Sequence, residues 1–260
     1  HPLPVDHMGA DVDRLLSSGV RPRLIYVTPS HQYPLGTRMP LGRRLSLLEA
    51  TRSAGAVILE DDYDSEFLFE GRPVAALYGL ADEGQVIYLG TFSKSLLPGL
   101  RLSYCVVPSS LVQSLQQLMR NMGCAASVQV QVALAQFIDS GAYQKHLKLI
   151  RRIYEERGAL MVRTLKDRLG KLVDVDKPNG NVQVAMLFRE PVDDVAFAQA
   201  MQERGFSVSP LSNCYQGDAR QPGLIIGFAD ASPRQIHDGV NTIGDLMEEL
   251  PSQSRHRSRN

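Results

Sequence analysis

The chain has 260 residues, 43% of them hydrophobic, with 28 basic and 28 acidic side chains. That length can bury one large domain or a large and a small one, and the balanced charge excludes a global basic field for holding a nucleic-acid backbone. Cys105, Cys124 and Cys214 fall in no metal-ligand spacing, which points to a reducing compartment, to small core residues and away from zinc.

No apolar run approaches the roughly 20 residues of a membrane span, and the opening HPLPVDH lacks the basic-then-apolar pattern of a signal peptide, so a cytoplasmic location is expected. After this Pro-containing entry, with His1 and His7 read as exposed loop residues, an apolar-spaced run at residues 12–16 leads to a strand at residues 24–27. TPSHQYPLG (residues 28–36) follows the strand directly, and its Pro and Gly mark a loop at a strand's carboxyl end, where open α/β sheets place ligands. His31 reads as a residue that orders this loop. Residues 41–54 have helical spacing, with Leu45, Leu48 and Thr51 inward and Arg43, Arg44, Glu49 and Arg52 on a solvated face.

Residues 56–61 read as a buried parallel strand. Alternation along residues 57–63 puts Leu59, Asp61 and Tyr63 on one face and Ile58, Glu60 and Asp62 on the other. The acids Glu60, Asp61, Asp62, Asp64 and Glu66 also suit a hard divalent cation, but consecutive acids on an extended chain point apart and no second acidic cluster completes a cage. Residues 86–89 and 102–107 read as two further strands, and the link between them offers Thr91, Ser93, Ser95 and Arg101 around Lys94. Hydroxyls and turn N–H groups suit a phosphate, arginine adds charged hydrogen bonds, and a desolvated lysine can attack an aldehyde. A surface turn with a solvated lysine has the same composition.

Ser109 and Ser127 are placed to cap helices through Asn121 and Ile138. The stripe Tyr143, Leu147, Ile150, Tyr154, Met161, Leu165 and Leu169 predicts one long helix over residues 141–169, long enough to bridge two domains. A smaller α+β unit follows, with strands at 172–175, 182–188, 206–209 and 224–228 and helices at 192–203 and 232–249, the last capped by Ser232. The polar tail at 251–260 is expected to be disordered.

Three stretches in this order, TPSHQYPLG, LEDDYDSEF and YLGTFSKSLLPGLRLSY, resemble the fold type I pyridoxal-phosphate enzymes. More narrowly, they are similar to the aminotransferase-like domain of MocR-type transcription regulators of the GntR superfamily, and the likeness runs over about residues 3–250. It implies an α/β, aspartate aminotransferase-like fold, N-terminally incomplete. A large-domain sheet would occupy residues 1–140, and a small domain opening on the bridging helix would occupy residues 141–250. By that likeness Lys94 holds pyridoxal 5'-phosphate as a Schiff base, Thr91, Ser93 and Arg101 hold its phosphate, Asp61 faces the ring nitrogen and Tyr63 the ring hydroxyl. An acidic partner at the ring nitrogen also suits the chemistry, because the ring withdraws electrons only while that atom stays protonated. Similar aminotransferases have Asn-Pro-x-Gly where this chain has Tyr33 before Pro34, so Tyr33 stands at the place of the asparagine that bonds the ring hydroxyl.

The likeness departs in the late strand, where Ile225 occupies the place of the arginine that grips a substrate carboxylate; Arg220 lies in the loop before it. An intact cofactor set without that clamp favours a sensor of an amine or of the cofactor itself, with weak or no transaminase turnover. DNA would be reached only through an upstream winged-helix domain, and a homodimer is implied by likeness. The alternative is a free-standing class I/II aminotransferase in which Lys94 also moves the proton.

Overall fold

The computed structural model describes residues 1–124, 126–216 and 220–249. These divide into two compact units: residues 1–33 with 37–151, and residues 34–36 with 152 onward. The expected tail at 251–260 lies outside the described residues.

The first unit opens on a short hairpin, β1 (Val5–Asp6) and β2 (Gly9–Ala10), and the helix α1 (Val12–Ser17). Its main sheet is β3 (Leu24–Val27), β4 (Val57–Asp62), β5 (Val86–Thr91) and β6 (Ser103–Val106), in that order. The first three strands run parallel and β6 returns antiparallel along β5. Between them lie α2 (Leu41–Ala54) and the single turn α3 (Leu77–Leu80), and after β6 come α4 (Val112–Asn121) and α5 (Val128–Asp139). Ile25, Val27, Leu47, Leu48, Ile58, Leu77 and Val86 form the core between sheet and helices. Each such side chain, fully buried, contributes about 1.5–3 kcal/mol over its exposed state.

Two expectations fail here. On α2, Leu45 is exposed and Leu47 is buried, while Arg44 points inward and is 1% exposed. Its guanidinium donates to the carbonyls of Met39, Pro29 and Ala75 at 3.0, 2.9 and 3.0 Å, so it satisfies loop backbone that the core leaves dry. Arg43 instead pairs with Asp6 of the hairpin at 2.5 Å. The three cysteines are exposed rather than in the core. Cys105 lies on β6, an edge strand whose four residues are all exposed, so alternation there selects no buried face.

The long stripe forms α6 (Ala142–Leu169), and the division between the units falls within it. Gly141, at φ +72°, closes α5 by donating to the Ile138 carbonyl at 2.9 Å and joins the two helices through a tight link. The second unit is an antiparallel sheet of β7 (Val173–Val175), β8 (Gln183–Phe188), β9 (Ser209–Pro210) and β10 (Gly223–Gly227), ordered β7-β8-β10-β9. It packs with the later part of α6, α7 (Asp194–Glu203) and α8 (Pro233–Glu249) around Leu165, Met186, Leu224 and Phe228. The helix expected from residue 192 begins at Asp194, because Asp193 caps it by accepting from the Ala196 N–H at 3.0 Å. Among the described residues no helix is long and apolar enough to cross a membrane.

Candidate functional site

The predicted site residues in the first unit gather where β4 and β5 end at their carboxyl edges, with Asp61 level with Leu89 and Asp62 with Gly90. The alternation along β4 holds: Ile58, Glu60 and Asp62 are buried, and Leu59 and Asp61 face the more open side. Each acid has its own partners. Glu60 accepts from the Leu77 and Tyr78 N–H groups at 2.8 Å each. Burial pushes its carboxyl above the ordinary value, and those two N–H groups oppose only part of that rise. Asp62 accepts from Tyr88 and Ser65, both at 2.7 Å. Asp61 accepts a short hydrogen bond from the hydroxyl of Tyr26 on neighbouring β3. Burial, and then the Asp61 charge, drive the Tyr26 hydroxyl far above its ordinary value, so it stays a donor.

Tyr63 follows β4 and donates to the His31 carbonyl at 2.9 Å, which ties it to the TPSHQYPLG loop. Tyr33 stands edge-on to it, with ring centroids 6.5 Å apart, and burial together with Asp64 and Asp61 keeps the Tyr63 phenol protonated. Beneath it, His31 Nδ1 and Asp64 Oδ1 are 2.7 Å apart, both nearly solvent-free. Burial raises the Asp64 pKa; the His31 hydrogen bond opposes that, and the Lys94 ammonium also lowers it. Among the described residues the buried Asp64 Oδ2 and Asp62 Oδ1 have no hydrogen-bond partner.

Lys94 sits on the turn after β5. Leu96 N–H donates to the Phe92 carbonyl at 2.8 Å and closes that turn, while Phe92 N–H reaches the Leu102 carbonyl at 3.2 Å. Thr91 Oγ1 donates to Ser93 Oγ at 2.9 Å and accepts from the Ser93 N–H and from Ser103 Oγ, both at 3.1 Å. Three hydroxyls and an N–H are therefore grouped beside the lysine. Arg101 is exposed with no ion pair among the described residues, and at φ +50° it is the non-glycine residue held in the left-handed region. Such a conformation costs on the order of 1–3 kcal/mol and persists where the surroundings impose it.

These groups suit a phosphorylated pyridine aldehyde. Hydroxyls, a turn N–H and a guanidinium match a phosphate. A carboxylate on the open face of β4 matches a protonated ring nitrogen, and the phenol of Tyr63 matches a ring oxygen. Sequence reasoning missed Tyr26, Ser103 and the His31–Asp64 pair. Tyr26 could have been found, since it alternates onto the same sheet face as Asp61 in the adjacent strand; the His31–Asp64 pair spans 33 residues with no local sign. Ile225 lies buried in β10 between β8 and β9, and Arg220 is exposed.

Residues 3–243 match the family model for aminotransferase class I and II. The chain is 38% identical over 251 residues to a probable rhizopine catabolism regulatory protein, MocR, of Rhizobium meliloti, covering 96% of this chain and 50% of that protein. It is 33% identical to the HTH-type pyridoxine biosynthesis transcriptional regulator PdxR of Corynebacterium glutamicum, covering 94% and 52%. The chain thus spans about half the length of these regulators. The solved kynurenine aminotransferase of Pyrococcus horikoshii superposes with a TM-score of 0.87 at 26% identity, over 95% of this chain and 63% of that one. The fold is accordingly that of the fold type I aminotransferases. The chain belongs to the class I and II aminotransferase family, and over that domain it is similar to MocR-type regulators.

Proposed function

We propose that this chain is the ligand-sensing part of a MocR-type transcription regulator, which binds pyridoxal phosphate at Lys94 and reports its state, or that of an amine ligand, to a DNA-binding part of the same protein. The observation that carries the reading is the grouping of the Lys94 turn with the Thr91–Ser93–Ser103 hydroxyls beside the ends of β4 and β5. When bound, the cofactor supplies an electron-withdrawing ring. Asp61 would keep its nitrogen protonated, Tyr63 would turn its one hydroxyl proton from the His31 carbonyl to the ring oxygen, and Thr91, Ser93 and Arg101 would hold its phosphate. Tyr33 would pack beside Tyr63 and limit water at that edge. Lys94 would be the covalent attachment point and the base nearest the reacting carbon. A homodimer and a cytoplasmic setting accord with this reading.

The second reading, a free-standing aminotransferase, is favoured by the likeness to the solved kynurenine aminotransferase of Pyrococcus horikoshii. Against it stands Ile225, an apolar buried side chain where the likeness places a carboxylate-binding arginine. Losing a charged hydrogen bond of about 1.5–3 kcal/mol lowers substrate affinity roughly tenfold to a hundredfold per bond. Full-length protein saturated with pyridoxal phosphate should therefore transaminate ordinary α-amino acids far more slowly than a dedicated aminotransferase does in the same assay. Equal rates would promote the enzyme reading over the sensor.

A further inference from the structure

We infer that Tyr143 and His146, on the first turns of α6, are positioning residues for Lys94, which they fix by gripping the turn on either side of it. Ser95, the residue after Lys94, is 1% exposed. Its side-chain oxygen accepts from the Tyr143 hydroxyl at 3.0 Å, and its carbonyl lies 2.8 Å from His146 Nε2. A carbonyl only accepts, so Nε2 of His146 carries the proton. Two residues before the lysine, the Phe92 ring meets the Tyr143 ring edge-on at 6.1 Å, and Phe137 of α5 meets Tyr143 edge-on at the same distance. Phe137 also packs against His146 at 6.2 Å.

The helix geometry makes both grips belong to one surface. Residues three apart on a helix share a face, so Tyr143 and His146 reach the lysine turn together. The tight Gly141 link fixes where α6 starts relative to Phe137. Lys94 is thus bracketed by contacts at the second residue before it and at the first after it, on a turn whose own backbone is closed by the Leu96-to-Phe92 hydrogen bond. Tyr143 and His146 act through Ser95 and Phe92 on the direction in which the ε-amine leaves the chain. What that amine reacts with rests on the proposed cofactor site, whereas the placement of the turn does not.

The test is competitive trace acetylation of full-length protein without added cofactor, at fixed pH, with Lys94 reactivity read by mass spectrometry against the exposed Lys145 and Lys148. Tyr143→Phe and Ser95→Ala should each change Lys94 reactivity about threefold or more, the scale of one buried hydrogen bond. Their effects should not add, because both remove the same bond. His146→Leu should act likewise, and His146→Gln, which keeps an N–H donor, should restore reactivity. Unchanged Lys94 reactivity in Ser95→Ala and Tyr143→Phe, with only a lowered denaturation midpoint, would overturn the inference and leave these residues a merely structural role. A parallel sample with pyridoxal phosphate and borohydride separates the two claims. Wild-type protein unlabelled at Lys94 would sink the cofactor site, while the acetylation result would still decide the positioning role.

Discussion

Asp61 and Asp62 are chain neighbours with opposite surroundings. Asp61 looks onto the open face beside Tyr26, whereas Asp62 is buried beneath Tyr88 and Ser65. Only the first can meet a ring bound over that face. Asp61→Asn in the full-length protein should weaken pyridoxal-phosphate affinity about tenfold or more, the worth of one charged hydrogen bond, and shift the visible band. Asp62→Asn should do much less to affinity, measured by the same titration. Equal losses would mean that the two faces of β4 do not divide the work. This face assignment was legible in the sequence because period-two alternation is a local property. The role of Arg44 was not, since its three carbonyl partners belong to loops that sequence spacing does not bring together.

At the scale of elements, the turn between β5 and β6 depends on how closely the two strands approach. Gly90 pairs with Tyr104, and a Cβ on Gly90 would come within 2.3 Å of the Tyr104 ring, which also packs against Phe92 and Tyr88. Gly90→Ala should therefore push that ring aside and destabilise the full-length protein by about 1–3 kcal/mol in urea unfolding. The double variant Gly90→Ala with Tyr104→Ser should recover most of the loss, and a failure to recover would place the clash elsewhere. Long, strongly patterned elements were readable in advance: α2 and α6 fall within a residue of where their spacing put them. Most short strands also stand within two residues of their expected places, but two short elements do not. Residues 206–209, read as a strand, contribute only Ser209 to β9, because pairing with β10 extends over just two positions there. The helix expected from Ser109 begins as a 3-10 turn, and α4 buries none of its side chains.

At the scale of the whole molecule, three motifs well separated in sequence converge because parallel strands deliver their carboxyl ends to one edge of a sheet. Lys94, Asp61, Tyr63, Thr91 and Ser93 were named by the likeness of these three motifs, whereas Ser103 and the α6 residues that hold Ser95 were not. Their partners lie across a strand pairing or 48 and 51 residues away, and no spacing rule reaches that far. The chain spans about half the length of the regulators it matches, and the proposed sensing role is framed for a full-length protein of that kind. The most direct measurement is therefore made on that full-length protein, incubated with pyridoxal phosphate, reduced with borohydride, digested and mapped. The expected result is one labelled peptide containing Lys94, abolished in Lys94→Ala; label on another lysine, such as Lys145 or Lys148, would contradict the assignment of the site.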